Sequence, residues 1–317
     1  MEEEAIFIYC FGYTTSKKKD FKMKRLISLF LLLTLGLFVG CMKMDSKVPE
    51  TPHVVVSIPP YISLVKEIVG NTMTVSSALN PSFDPHTAEA TPHQMKMVQN
   101  ADLFIGVGEG YEKKLFAALS EGSKKVRLLE MNEEIPLLSY SEDTHFVDTY
   151  QDVSLPFTAS KDLHFWLGPK RLIIQVEVLI QALSELKPEN STLYSNKGHA
   201  LIEKIKTLDA RLQDKLRLYQ KKAIIVSHAS LGYFCYDYNL IQIAMECEEK
   251  SPRPQNISRA YDLARHSDVI CVFTSPQFNN KGAEMVAHKL DFRIESFDPL
   301  AEDVLETIEN IANDITK

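Results

Sequence analysis

Residues 54–79 read VVVSIPPYISLVKEIVGNTMTVSSAL, and their pattern decides the fold class. Val54–Ile58 is a β-branched run closed by Pro59-Pro60, the signature of a buried strand. In the next stretch, Tyr61–Val69, residues Ile62, Val65 and Val69 recur at helical spacing, and Gly70 supplies the stop. Met73–Leu79 then reads as a second strand. Strand, short helix and strand in so little chain predict a parallel pair with a right-handed crossover.

The rhythm continues outward. Thr91-Pro92 reads as an N-cap and first-turn proline, opening a helix to about Asn100. Leu103–Val107 is a buried strand ending at Gly108 and Gly110, and Val126–Leu129 is another. From about 133 to 161 acidic and polar residues dominate, and an irregular loop containing His145 is expected. Pro169 begins a helix to about Leu186. In the longest helical pattern, about Asn190 to Gln220, Leu201, Ile205, Leu208, Leu212 and Leu216 line one face. Such a helix is long enough to run along two lobes. A second alternating set follows, with strands at Ala223–Ser227, Leu240–Ala244, Val269–Thr274 and Phe292–Phe297. The expected fold is α/β, with two lobes of like architecture, each a mainly parallel sheet flanked by helices. Residues 53–188 form the first lobe, 189–220 the connecting helix and 221–317 the second lobe.

At the N-terminus, Leu26–Val39 is apolar and preceded by Lys22, Lys24 and Arg25. The run is too short to cross a bilayer and reads as a signal peptide. Gly40-Cys41 resembles a lipobox, which makes Cys41 the expected lipidation site and residues 41–52 a polar tether. Glu2, Glu3 and Glu4 fit a signal poorly, so Met23 is a candidate true start within the 1–40 leader. The full chain has net charge −7. Residues 1–40 carry six basic and four acidic residues, which leaves −9 for the remainder. That balance argues against nucleic acid as a partner and favours cations. Cys271 lies in an apolar run and reads as a core thiol, whereas Cys235 and Cys247 flank a strand and their pairing stays open. With no Cys-x-x-Cys, a thiolate zinc site is not expected.

Four residues lie in loops at the ends of these elements: His86, His164, His228 and Asp298. In open α/β sheets, ligands sit beyond the carboxyl ends of strands. Three neutral imidazoles and one carboxylate suit a borderline divalent metal such as zinc. Asp84 and Asp162 each precede a histidine by two residues and are candidates to accept its second ring N–H. His93 reads as an exposed residue or an outer support and His145 as a loop residue able to fetch metal, while His53, His199, His266 and His288 read as bystanders. Trp166 reads as core beside His164.

The phrases Asp84-Pro85-His86-Thr87-Ala88-Glu89-Ala90-Thr91-Pro92, Ala101-Asp102-Leu103, Asp162-Leu163-His164-Phe165-Trp166-Leu167, His228-Ala229-Ser230-Leu231-Gly232-Tyr233-Phe234 and Asp298-Pro299-Leu300 occur in this order. Together they resemble the cluster A-I solute-binding lipoproteins of bacterial ABC transporters for zinc, manganese or iron, over about Val54–Ile315. The resemblance implies two pseudo-symmetric lobes, a rigid connecting helix and one metal in the cleft held by His86, His164, His228 and Asp298. It further implies a monomer outside the cytoplasm, anchored by lipid at Cys41, that passes its cargo to a permease and its ATPase. Histidine at 228 tilts the cargo toward zinc, with manganese or iron as alternatives. Leu163, Gly168 and Ser275 depart from the family pattern, and 133–161 holds only His145 where zinc-specific members carry many histidines. Two other functions compete. A zinc hydrolase would need a base, for which Glu89 is the candidate, and the chain lacks His-Glu-x-x-His. A surface adhesin would use metal only for stability.

Overall fold

The β-branched run at the start of the first lobe becomes β1 (His53–Val56), followed by α1 (Pro60–Val69) and β2 (Thr74–Ser77). β2 pairs parallel to β1, and beyond it Ala78 and Leu79 still donate backbone hydrogen bonds to Val56 and Ser57. Gly70 closes α1 at φ 57°, a left-handed position that suits glycine. The computed structural model describes residues 51–121, 125–140, 160–246 and 254–317. The lipidation site Cys41, His145 and Cys247 lie outside them, so the Cys235–Cys247 pairing does too.

α2 (Pro92–Asn100) starts where expected, with a reciprocal capping box between Thr91 and Gln94 and proline in its first turn. β3 (Leu103–Gly106), α3 (Glu112–Glu121), β4 (Arg127–Glu130) and the single turn α4 (Met131–Glu134) complete the first sheet, ordered β2-β1-β3-β4 and all parallel. The stretch read as wholly irregular is pinned at its base. β5 (Ser139–Tyr140) and β6 (Ser160–Lys161) form an antiparallel pair. Two residues per strand are too few for an alternation to show in sequence.

α5 (Pro169–Leu186) leads through a 3₁₀ turn into α6 (Ser191–Leu216), 26 residues and about 39 Å long. The helix is shorter than its sequence pattern because both ends, Pro188–Asn190 and Arg217–Tyr219, tighten into 3₁₀ turns. Gly168, a departure from the family pattern, has a reason. A Cβ there would lie 2.7 Å from Tyr233 Cβ. The α5 N-terminus instead receives a carboxylate from α7 (Gly232–Tyr238), where Asp237 Oδ2 accepts Lys170 N–H at 3.3 Å.

The second sheet is β7 (Ala223–His228), β8 (Ile241–Glu246), β9 (Val269–Thr274) and β10 (Ile294–Ser296), with α8 (Pro254–Arg265), α9 (Lys281–Leu290) and α10 (Val304–Ile315) around it. Its order is β10-β9-β7-β8, again all parallel. β7 is buried along its whole length, as a strand covered on both faces must be. Its Ile224 and Val226 join a core that includes Val54, Phe104, Trp166 and Leu208, whereas Ala223 and Ile225 pack in a separate cluster with Ala260 and Val286. α6 packs against both α1 and α10. Cys271 is a buried thiol as expected, its pKa pushed up to about 11 chiefly by burial.

Candidate metal centre

Short polar turns place two of the three histidines. Asp84 Oδ1 accepts His86 N–H at 2.9 Å, and Asp84 Oδ2 accepts the Thr87 hydroxyl. Asp162 Oδ1 accepts His164 N–H at 2.9 Å in the same manner. His228 is the last residue of β7. Beyond this the two Asp-x-His turns differ. Asp162 Oδ1 also faces His164 Nδ1 at 3.0 Å. The His86 ring is met instead by Glu109 Oε2, 3.1 Å from Nδ1. The expectation that an aspartate two residues earlier supports each ring therefore holds for His164, while at His86 the loop after β3 provides the carboxylate. Nothing local in the sequence pairs Glu109 with His86; its only signal is a carboxylate between two glycines at a strand end.

The three Nε2 atoms converge. His86 Nε2 lies 3.0 Å from His228 Nε2, which lies 3.2 Å from His164 Nε2. One ring nitrogen from each of the three lies within 4.8 Å of the others. For nitrogen ligands at about 2.0–2.1 Å from zinc, a tetrahedron has edges of about 3.3–3.4 Å. The observed separations are close to that, so the rings are nearly arranged for one small cation. A carboxylate at Nδ1 holds the proton there and leaves Nε2 bare for a metal.

Charge supports the same chemistry. Glu109 and Asp162 are buried, and Glu109 Oε1 and Asp162 Oδ2 accept no hydrogen bond from the described residues. Burial alone would raise the Glu109 carboxyl, but the neighbouring His86, and His164 behind it, pull it below the usual carboxylate range. Burial, reinforced by His86 and His164, holds the His228 pKa well below 6.5, so its ring is neutral and able to ligate. Buried carboxylates beside a neutral His228 ring suit a site that a divalent cation would complete.

Asp298 is not a member of the three-histidine cluster. Its Oδ1 accepts Gln277 Nε2–H at 2.7 Å and Leu300 N–H at 2.8 Å. Next to Gln277, the Phe278 ring stacks on His228 at 4.0 Å and 14°. Trp166 is buried beside His164 and donates to Pro299 O at 2.8 Å, tying the first lobe to the Asp298 loop. Gln277 and Phe278 sit in the segment whose departure at Ser275 marked it in the sequence, but their contacts cross between elements and left no periodic trace. His93, His199 and His288 are exposed on helices, His266 is exposed in the turn after α8, and His53 opens β1 with Nε2 2.7 Å from Ser76 Oγ. Glu89, the base a hydrolase would need, is 82% exposed and pairs with Lys114.

Comparison with known proteins agrees with this geometry. A putative metal-binding protein of Chlamydia trachomatis serovar D is 28% identical over 285 residues, covering 90% of this chain and 97% of that protein. The high-affinity zinc uptake system protein ZnuA of Bacillus subtilis strain 168 is 24% identical over 273 residues, 85% of this chain and 82% of that protein. A crystal structure of ZnuA superposes with a TM-score of 0.74 at 28% identity, over 84% of this chain and 98% of that one. Residues 54–316 match the family described as ZnuA, zinc-uptake complex component A, periplasmic, and the chain belongs to that family.

Proposed function

We propose that this protein captures one divalent transition-metal ion outside the cytoplasm, zinc first and manganese or iron as alternatives, and hands it to an ABC permease driven by its ATPase. The observation that carries the reading is the convergence of His86, His164 and His228 Nε2 at 3.0 and 3.2 Å beside two buried carboxylates. Asp298 is the proposed fourth ligand. Its loop is tied to the first lobe through the Trp166 indole N–H, which donates to Pro299 O. The lobes are read as 53–188 and 221–317, joined by 189–220. A core shared by both lobes favours release by small shifts of loops over a wide hinge. Membership of a periplasmic uptake family supports delivery to a transporter; the Gly40-Cys41 phrase is the ground for reading the chain as held by lipid at Cys41, as a monomer.

Metal content and competition among zinc, manganese and ferrous iron test the reading on the purified full chain and on His86→Ala. One equivalent bound by the wild type and lost from the variant is the expected result. Losing a ligand should exceed the roughly 10–100-fold cost of losing an outer hydrogen-bonding partner. A wild type that binds none of the three ions overturns the proposal. Acylation at Cys41 is read by labelling cells with a fatty acid, the label disappearing in Cys41→Ala.

A further inference from the structure

We infer that Gln277 sets the metal preference of this site by confining Asp298 to ligation through a single oxygen. This rests on the capture of a divalent cation proposed above. The Gln277 amide nitrogen donates to Asp298 Oδ1 at 2.7 Å and to Pro81 O at 2.8 Å. Pro81 precedes His86 in the first lobe, so one amide spans the cleft. Its orientation is dictated by its partners. Both are acceptors, and a flipped amide would set oxygen against a carboxylate and a carbonyl. The other amide atom, Oε1, is buried and accepts no hydrogen bond from the described residues, a cost tolerated while Nε2 makes two good ones.

Leu300 N–H adds a second bond to the same carboxylate oxygen at 2.8 Å. A carboxylate oxygen offers about two lone pairs, so Oδ1 is saturated. Oδ2 accepts no hydrogen bond from the described residues and is the oxygen free for a cation. Three imidazoles and one oxygen make four donors, the number and geometry zinc takes. Manganese favours octahedral, oxygen-rich shells, and here would need both carboxylate oxygens or added water. Phe278 extends the effect. Stacked on His228, it ties the segment that restrains Asp298 to the imidazole cluster.

Cobalt(II) reports coordination number, because four-coordinate cobalt absorbs visible light far more strongly than five- or six-coordinate cobalt. The full chain is loaded with cobalt and, separately, titrated with zinc against manganese, alongside Gln277→Ala and Gln277→Glu. The second variant keeps the volume but cannot donate, and circular dichroism checks that each is folded. The wild type should give the intense four-coordinate spectrum. Both variants should lose intensity, and zinc preference over manganese should fall about tenfold. Folded variants with the wild-type spectrum and preference would reduce Gln277 to a structural contact. A weak, high-coordinate spectrum in the wild type would overturn the single-oxygen assignment while leaving metal capture intact. No cobalt or zinc bound by the wild type would overturn the capture reading itself, and this one with it.

Discussion

In the first lobe β2 lies beside β1, then β3 and β4; in the second β8 lies beside β7, then β9 and β10. Strand order and parallel sense are the same, yet the contacts described around their imidazoles differ. His86 and His164 each meet a buried carboxylate at Nδ1, at 3.1 and 3.0 Å. His228 is buried and stacks on the flat face of Phe278. The first lobe thus supplies tautomer control and negative charge. The second supplies a rigid, neutral donor at the end of a buried strand.

The sharpest way to break that contrast is to remove each kind of support in turn. Glu109→Gln and Asp162→Asn should each weaken zinc binding about 10–100-fold, since each removes a charge-assisted partner of a ligand. Phe278→Leu should cost less, roughly 2–10-fold, the value of a ring contact beyond its area. Titration against a competing chelator reads all three. Equal losses in both lobes would show that the difference in support has no energetic content.

The architecture was legible in the sequence because β-branched runs, first-turn prolines and Gly70 act locally. The three converging histidines were legible because each sits in a short, distinctive phrase. Support for those ligands was legible only where it was also local, as with Asp162. Glu109 lies 23 positions from His86, and Gln277 reaches Asp298 and Pro81 from an unrelated loop. These pairings arise from the sheet order and leave no spacing to read. Asp298 was legible as a candidate ligand, but its restraint by Gln277 and Leu300 was not.

A second way to separate the lobes uses pH, with metal-free protein. In the first lobe Glu112 is buried, and burial raises its pKa to about 7 although Val107 and Gly108 donate to its oxygens. An acid whose folded pKa is raised stabilises the fold fully below its unfolded value of about 4.5, and that contribution is lost as pH rises through about 7. In the second lobe the His228 pKa is depressed, so its contribution is full above the unfolded value of about 6.5 and is lost as pH falls toward the folded one. The two limbs have opposite sign. Urea midpoints between pH 4.5 and 8 should show Glu112→Gln flattening the alkaline limb and His228→Gln the acid limb, each with a constant offset. A single variant that flattens both would mean the lobes do not titrate independently.

The smallest expected effect concerns what joins the lobes. α6 carries exposed ion pairs toward each, Lys204 with Glu67 of α1 and Arg211 with Glu309 of α10. Such pairs contribute about 0–1 kcal/mol, so they do not decide how the helix is seated. Packing does. A Cβ on Gly198 would lie 2.3 Å from both Cγ1 and Cδ1 of Ile180 on α5. Rotating χ2 moves only Cδ1, and χ1 of a β-branched residue in a helix is stiff, so the contact cannot be relieved cheaply. Gly198→Ala should therefore cost about 1–3 kcal/mol in overpacking. Helix propensity returns about 1 kcal/mol, because glycine is a poor residue mid-helix. The net expectation is a loss on the order of 1 kcal/mol by urea unfolding, with zinc affinity unchanged because Gly198 is remote in sequence and packing from the imidazoles. A gain in stability would mean that α5 and α6 slide apart freely. A loss of zinc affinity would mean that the seating of α6 reaches the metal centre, and the contrast between the two lobes would then have to include the helix that joins them.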